Sequence, residues 1–151
     1  MEIRNILTVA FFVLVIYAFA GGVVQNFVNY PSRKLIGADE FPRLHRYVVR
    51  RQFIYVPFVF LGVLANIALI WFHHPAMSTP LIVLSAALYL FIVVVTVTLV
   101  IPLHMKLDQR KSNELIDRIV KYDRYLRAIP GCLQMTVVVM LLYQVVSGPS
   151  H

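Results

Sequence analysis

Four stretches of this chain are apolar from end to end, about Ile6–Val28, Phe53–Phe72, Pro80–Ile101 and Ile129–Val146, and none contains Asp, Glu, Lys, Arg or His. A run of about 20 such residues, coiled into a helix, reaches across roughly 30 Å of hydrocarbon. Inside lipid the backbone must satisfy its own hydrogen bonds, and a helix does so within a single segment. The sequence therefore predicts an all-α fold: an integral membrane four-helix bundle forming one transmembrane domain over 1–151. Composition points the same way. Hydrophobic residues make up 60% of the 151 and charged residues 14%, against about 45–50% and about 25% in soluble domains.

The charges sit between the apolar runs. The first connection, Tyr30–Gln52, carries Arg33, Lys34, Arg43, Arg46, Arg50 and Arg51, and the third, Pro102–Ala128, carries Lys106, Arg110, Lys111, Arg118, Lys121, Arg124 and Arg127. The second connection, His73–Thr79, and the C-terminal tail carry none, and Arg4 alone lies near the N-terminus. Basic residues collect on the cytoplasmic side of membrane proteins. Both basic connections are thus expected in the cytoplasm, with both termini outside it, in an inner or plasma membrane. The formal charge of +7 is read as topological: the partners implied are the bilayer and anionic lipid headgroups, and nucleic acid is excluded. Ala18-Phe19-Ala20 before Gly21 has the form of a signal-peptide cleavage site. Cleavage there would send six basic residues across the membrane, so the first run is expected to stay as a helix.

The basic connections are themselves patterned. Ser112-Asn113-Glu114 forms a helix start, after which Leu115, Ile119, Tyr122 and Leu126 line one face. Glu114–Arg118, Asp117–Lys121 and Asp123–Arg127 are i, i+4 pairs with the acid first, the favoured order. The sequence predicts an amphipathic helix that either lies on the headgroups or prolongs the bundle. In the first connection, Asn29-Tyr30-Pro31-Ser32 reads as a helix stop. Asp39 then caps a second helix with Pro42 in its first turn, Arg43, Arg46 and Arg50 on one face and Phe41, Leu44 and Val48 on the other.

Polar side chains within the spans fall into two layers. The deeper contains Tyr17, Asn66, Tyr89 and Tyr143, one from each span; the shallower contains Gln25, Asn26, Asn29, Thr96, Thr98 and Gln134. Such groups commonly act as interhelical hydrogen-bond glue, and the shallow layer is also a candidate pocket. Gly22, Gln25, Asn26 and Asn29 share a face that should look into the bundle. Two histidines flank this layer: His45 lies beside the Phe41–Leu44–Val48 face, and His104 follows Pro102 at the end of the third span. His73 and His74 read as part of an interfacial turn after Trp71, and the single cysteine, Cys132, as a small buried hydrophobe.

Phosphate loops, G-x-S-x-G, C-x-x-C and H-E-x-x-H are all absent from the sequence. No carboxylate lies within a span, which argues against a proton or ion path through the middle. Glu-x-x-His pairs, which a di-iron carboxylate bundle requires, are also missing.

The layout, with Asn29-Tyr30-Pro31, Phe41…His45, Ile101-Pro102-Leu103-His104 and Asp123…Arg127, resembles the family of small four-span proteins related to anthrone oxygenases. The resemblance implies oxidation of a polyketide anthrone by molecular oxygen without bound metal or flavin.

Two functions follow as expectations. One is a protein that binds or oxidises a hydrophobic small molecule in a cytoplasm-facing pocket, with His45 as general base or hydrogen-bond partner. His104 would assist, and Gln25, Asn29, Arg46 and Gln134 would contact the substrate. No cofactor is required by the sequence; a metal or haem, if bound, would sit on the His45–His104 pair. The other is a non-catalytic subunit packed against membrane protein partners or copies of itself.

Overall fold

The computed structural model describes residues 3–148. They form four long helices: α1 Ile3–Leu35, α2 Phe41–Phe72, α3 Thr79–Leu107 and α4 Asn113–Ser147. No strand occurs among the described residues. Each helix is long and apolar enough to cross a membrane, and each runs well past its apolar span at the end that carries the basic residues. The helices close into a ring in which α1 packs on α2, α2 on α3, α3 on α4 and α4 on α1.

The core away from the basic end is apolar. Phe11, Phe12 and Val15 of α1 meet Ala65 and Leu69 of α2, Ile82 of α3, and Val137, Val138 and Leu141 of α4. The outward faces are as apolar as the core: Val9, Val13, Phe60, Leu64, Phe91 and Val139 are all exposed. On a soluble protein so large an apolar surface would drive association. In hydrocarbon it is the solvated face.

One polar layer crosses this core. Asn66 donates to the carbonyl of Gly62 at 2.8 Å and accepts from Ser85 Oγ at 3.0 Å, while Gln134 Nε2 reaches Ser85 at 3.4–3.5 Å. Tyr89 Oη donates to the Val59 carbonyl at 3.2 Å. The layer ties α2, α3 and α4 together, the role that amides and hydroxyls commonly play between membrane helices. Its membership departs from the sequence expectation. Tyr17 turns outward against Tyr55 and Phe58, and Tyr143 is 71% exposed. A tyrosine carries its hydroxyl on an apolar ring, so lipid accepts it without a helical partner. Thr98 is also exposed and satisfies its hydroxyl on its own helix, at the Val94 carbonyl. Cys132, expected inside, lies on the bundle's outer surface.

Pro31 does not stop α1. The turn Gln25–Asn29 widens to π geometry, the Tyr30 N–H bonds back five residues to Gln25, and the helix continues through Pro31 to Leu35. The same device recurs before Pro102, where Thr96–Val100 is π and Ile101 N–H bonds to Thr96, and before Pro130, where Asp123–Ala128 is π. A proline ring clashes with the carbonyl four residues earlier, and a wider turn moves that carbonyl aside. The α2 helix starts at Phe41 after a turn in which Phe41 N–H bonds to Gly37 O; Asp39 is exposed in that turn and does not cap it.

At the start of α4, Ser112 does cap, its hydroxyl accepting from Leu115 N–H at 3.3 Å. The segment is continuous with the fourth span and packs beneath the bundle. Its buried face is Ile116 and Ile119, joined to Tyr30, Phe41, Val100, Leu103 and Leu107. Glu114–Arg118 and Asp123–Arg127 pair as expected, but Asp117 pairs with Lys34 of α1 instead of Lys121. The continuation of α1 past Pro31 brings Lys34 across to it.

Candidate functional site at the basic end of the bundle

The four extensions converge on a cluster of rings and charges. Phe41 and His45 are one helical turn apart on α2 and therefore share a face; both are buried, and their rings stack with centroids 5.2 Å apart. His45 stacks in turn on His104 of α3 at 5.4 Å, and His104 faces Tyr30 of α1 at 5.5 Å. Arg33, one turn after Tyr30, lays its guanidinium over the Tyr30 ring at 5.0 Å and donates from Nη1 to His104 Nδ1 at 3.1 Å. These contacts lie beyond the apolar spans.

Hydrogen-bond partners set the state of each imidazole. Arginine can only donate, so His104 Nδ1 is an unprotonated acceptor. The backbone carbonyl of His104 can only accept, and His45 Nε2 lies 3.3 Å from it. His45 therefore carries its proton on Nε2, and its Nδ1 is left with a free lone pair and no partner. Burial and then the Arg33 charge hold the His104 pKa down to about 3. The same two causes, in that order, lower the pKa of His45, while Asp108 opposes them. Both rings are neutral at pH 7.

Arg33 is the unusual member. It is 5% exposed, its Nη2 has no hydrogen-bond partner, and among the described residues no carboxylate lies within ion-pairing distance of it. Asp108 acts on it only through space; this carboxylate stands 3.6 Å from His45 Nε2. Buried cations are normally paired. Arg33 and His45 line one recess of about 140 Å³ together with Asn29, Ser32, Ile36, Phe41, Leu44 and Val48.

The residues singled out in the sequence divide between this recess and other places. His45 and Asn29 line it, and His104 stands behind His45. Gln25 braces its rim, its Oε1 accepting from Asn29 at 3.2 Å and from Gln52 of α2 at 3.0 Å. Gln134 belongs to the polar layer of the core with Ser85. Arg46 projects from the other face of α2, exposed, with Nε bonded to the Pro42 carbonyl. A metal on the histidine pair would need both lone pairs on one ion. Here His104 spends its own on Arg33, whose charge also repels a cation, and no group of three metal-ligating side chains occurs among the described residues.

Tyr30, Arg33, Asp108 and the ion pair of buried Asp123 with half-buried Arg127 do not stand out as site residues in the sequence. Asp123 lies against Asn26, whose amide is fully buried without a hydrogen bond of normal geometry. Asn26, Tyr30 and Arg33 are spaced i, i+4, i+7, a single helical stripe. That stripe is legible in the sequence only if the helix runs through Pro31. Comparison with family models, with curated proteins and with solved structures gives no match.

Proposed function

We propose that the basic end of the bundle is a cytoplasm-facing binding site for a hydrophobic small molecule with an acidic head. The head sits in the recess against Arg33 and His45, and the hydrophobic body lies along Leu44 and Val48 toward the lipid. The observation that carries this reading is the buried, carboxylate-free guanidinium of Arg33 in the same recess as His45, whose buried Nδ1 has no partner. An anionic or enolic oxygen supplies the missing partner of the first, and an acidic O–H or C–H proton suits the second. The recess is smaller than the roughly 300–1,000 Å³ of a drug-sized pocket, so it accommodates a head and not a whole ligand. Orientation toward the cytoplasm rests on the basic residues at this end.

Where chemistry follows binding, the step open to this chain is removal of an acidic proton by His45 Nδ1, with Arg33 stabilising the resulting anion. An anthrone, the substrate class that the resemblance implies, is flat, apolar and acidic enough to fit that description.

The test is equilibrium binding of anthracene carboxylate, a fluorescent flat acid, to the purified protein in detergent. The acid should bind at least about tenfold more tightly than the corresponding uncharged anthracene methanol, since one hydrogen bond to a charged group is worth about 1.5–3 kcal/mol. Arg33→Gln should erase that preference. Equal binding of acid and alcohol by the wild-type protein would remove the basis of this reading.

A further inference from the structure

The arginines on the outer face of α2 form a cationic stripe. Arg43, Arg46, Tyr47, Arg50 and Arg51 fall at i, i+3, i+4, i+7 and i+8, so they share one helical stripe. They line an open groove of about 470 Å³. Of the other basic residues at this end, Lys34, Arg118 and Arg127 each hold a carboxylate, while among the described residues Arg33, Lys106, Arg110, Lys111, Lys121 and Arg124 hold none. Among the described residues, none of the four groove arginines is ion-paired. Arg43–Arg46 and Arg46–Arg50 are like-charge neighbours on the helix, which oppose one another. Two of the four are nonetheless held in place, Arg46 by its Nε bond to the Pro42 carbonyl and Arg51 by stacking over the Tyr47 ring at 5.0 Å.

The stripe ends directly against the apolar span. Arg50 and Arg51 precede Phe53, Ile54 and Tyr55, which are all exposed and open the apolar span. An occupant of the groove therefore has its charge beside the guanidinium groups and hydrocarbon immediately next to it. Guanidinium groups present planar pairs of donors that match phosphate oxygens. We infer that the groove binds the phosphate headgroup of an anionic phospholipid, whose acyl chains lie against Phe53 and Ile54. This site is independent of the Arg33–His45 recess, which lies on the opposite side of α2.

Short-chain phosphatidylglycerol, titrated into the detergent-solubilised full chain and followed by the rise in melting temperature, tests the assignment, with phosphatidylcholine of equal chain length as reference. Phosphatidylglycerol should stabilise the protein and phosphatidylcholine should not. Arg46→Gln with Arg50→Gln should weaken the apparent affinity about 25-fold, each arginine near a lipid surface being worth a factor of about five. Lys121→Gln with Arg124→Gln, which removes the same charge elsewhere at this end, should leave it within about twofold. If the first pair fails to fold, Arg43→Gln with Arg51→Gln carries the same expectation. Equal weakening by both pairs would show diffuse attraction and overturn the site, as would an absence of any lipid-specific shift. Inorganic pyrophosphate producing the same stabilisation would assign the groove to a soluble phosphate and overturn the lipid.

Discussion

Single atoms decide much of the behaviour of this bundle. Gly62 of α2 faces the Tyr89 ring so closely that an added Cβ would stand 2.9 Å from Tyr89 Cζ. Tyr89 is buried and its hydroxyl is held by the Val59 carbonyl, so the ring has nowhere to retreat. Gly62→Ala should lower stability by about 1–3 kcal/mol, the usual cost of overpacking, read as a drop in the melting temperature in detergent. The two stacked histidines give a pH dependence whose sign follows from their lowered pKa values. Below about pH 6.5 the unfolded chain takes up protons that the folded site refuses. The stabilisation is thus fully present above about pH 6.5 and is lost as the pH falls, for His104 down toward about 3. Melting curves between about pH 7.5 and 5 should show this decline, and His104→Gln should flatten it. A His104→Gln curve parallel to the wild type would place the effect on other groups.

At the scale of elements, the recurring feature is the wide turn before a proline, present in α1, α3 and α4 at the same end of the bundle. Such turns insert one extra residue, and one residue rotates everything after it by about 100°. The Thr96–Val100 turn is therefore part of what aims His104 at Arg33. Pro102→Ala removes the clash that the wide turn relieves. This variant should melt at or above the wild-type temperature yet bind anthracene carboxylate roughly tenfold more weakly, the worth of about one charged hydrogen bond. The same turns mark the limit of what was legible in the sequence. Apolar runs and Ser112 were readable because composition and a cap act locally. Pro31 reads as a stop because the steric rule is local too, whereas the π turn that evades it goes with the packing of Tyr30 among Phe41, Leu103 and Ile116, which are distant in sequence. A helix stopped at Pro31 leaves Arg33 in a loop and off the Asn26–Tyr30 stripe that the continuous helix shows. Asp117 likewise chose Lys34 over Lys121 because of a neighbour that sequence spacing does not show.

The whole molecule is divided along its length. One half is an apolar bundle pinned by the Asn66–Ser85–Gln134 layer, and the other carries the stacked rings, the buried ions and the two arginine-based surfaces on opposite faces of α2. His45 and His104 were visible as candidates because histidines at the ends of apolar runs are few. Which of them keeps a free nitrogen depends on Arg33 and could only come from the packed structure. The central claim, an acidic head bound by Arg33, makes opposite demands on two neighbours. Arg33→Gln removes the cation, while Asp108→Asn removes the carboxylate whose charge acts on Arg33 and His45. Titration of anthracene carboxylate against both variants and the wild type should therefore show about tenfold weaker binding in the first and tighter binding in the second. Shifts in the same direction, or none, would contradict the account.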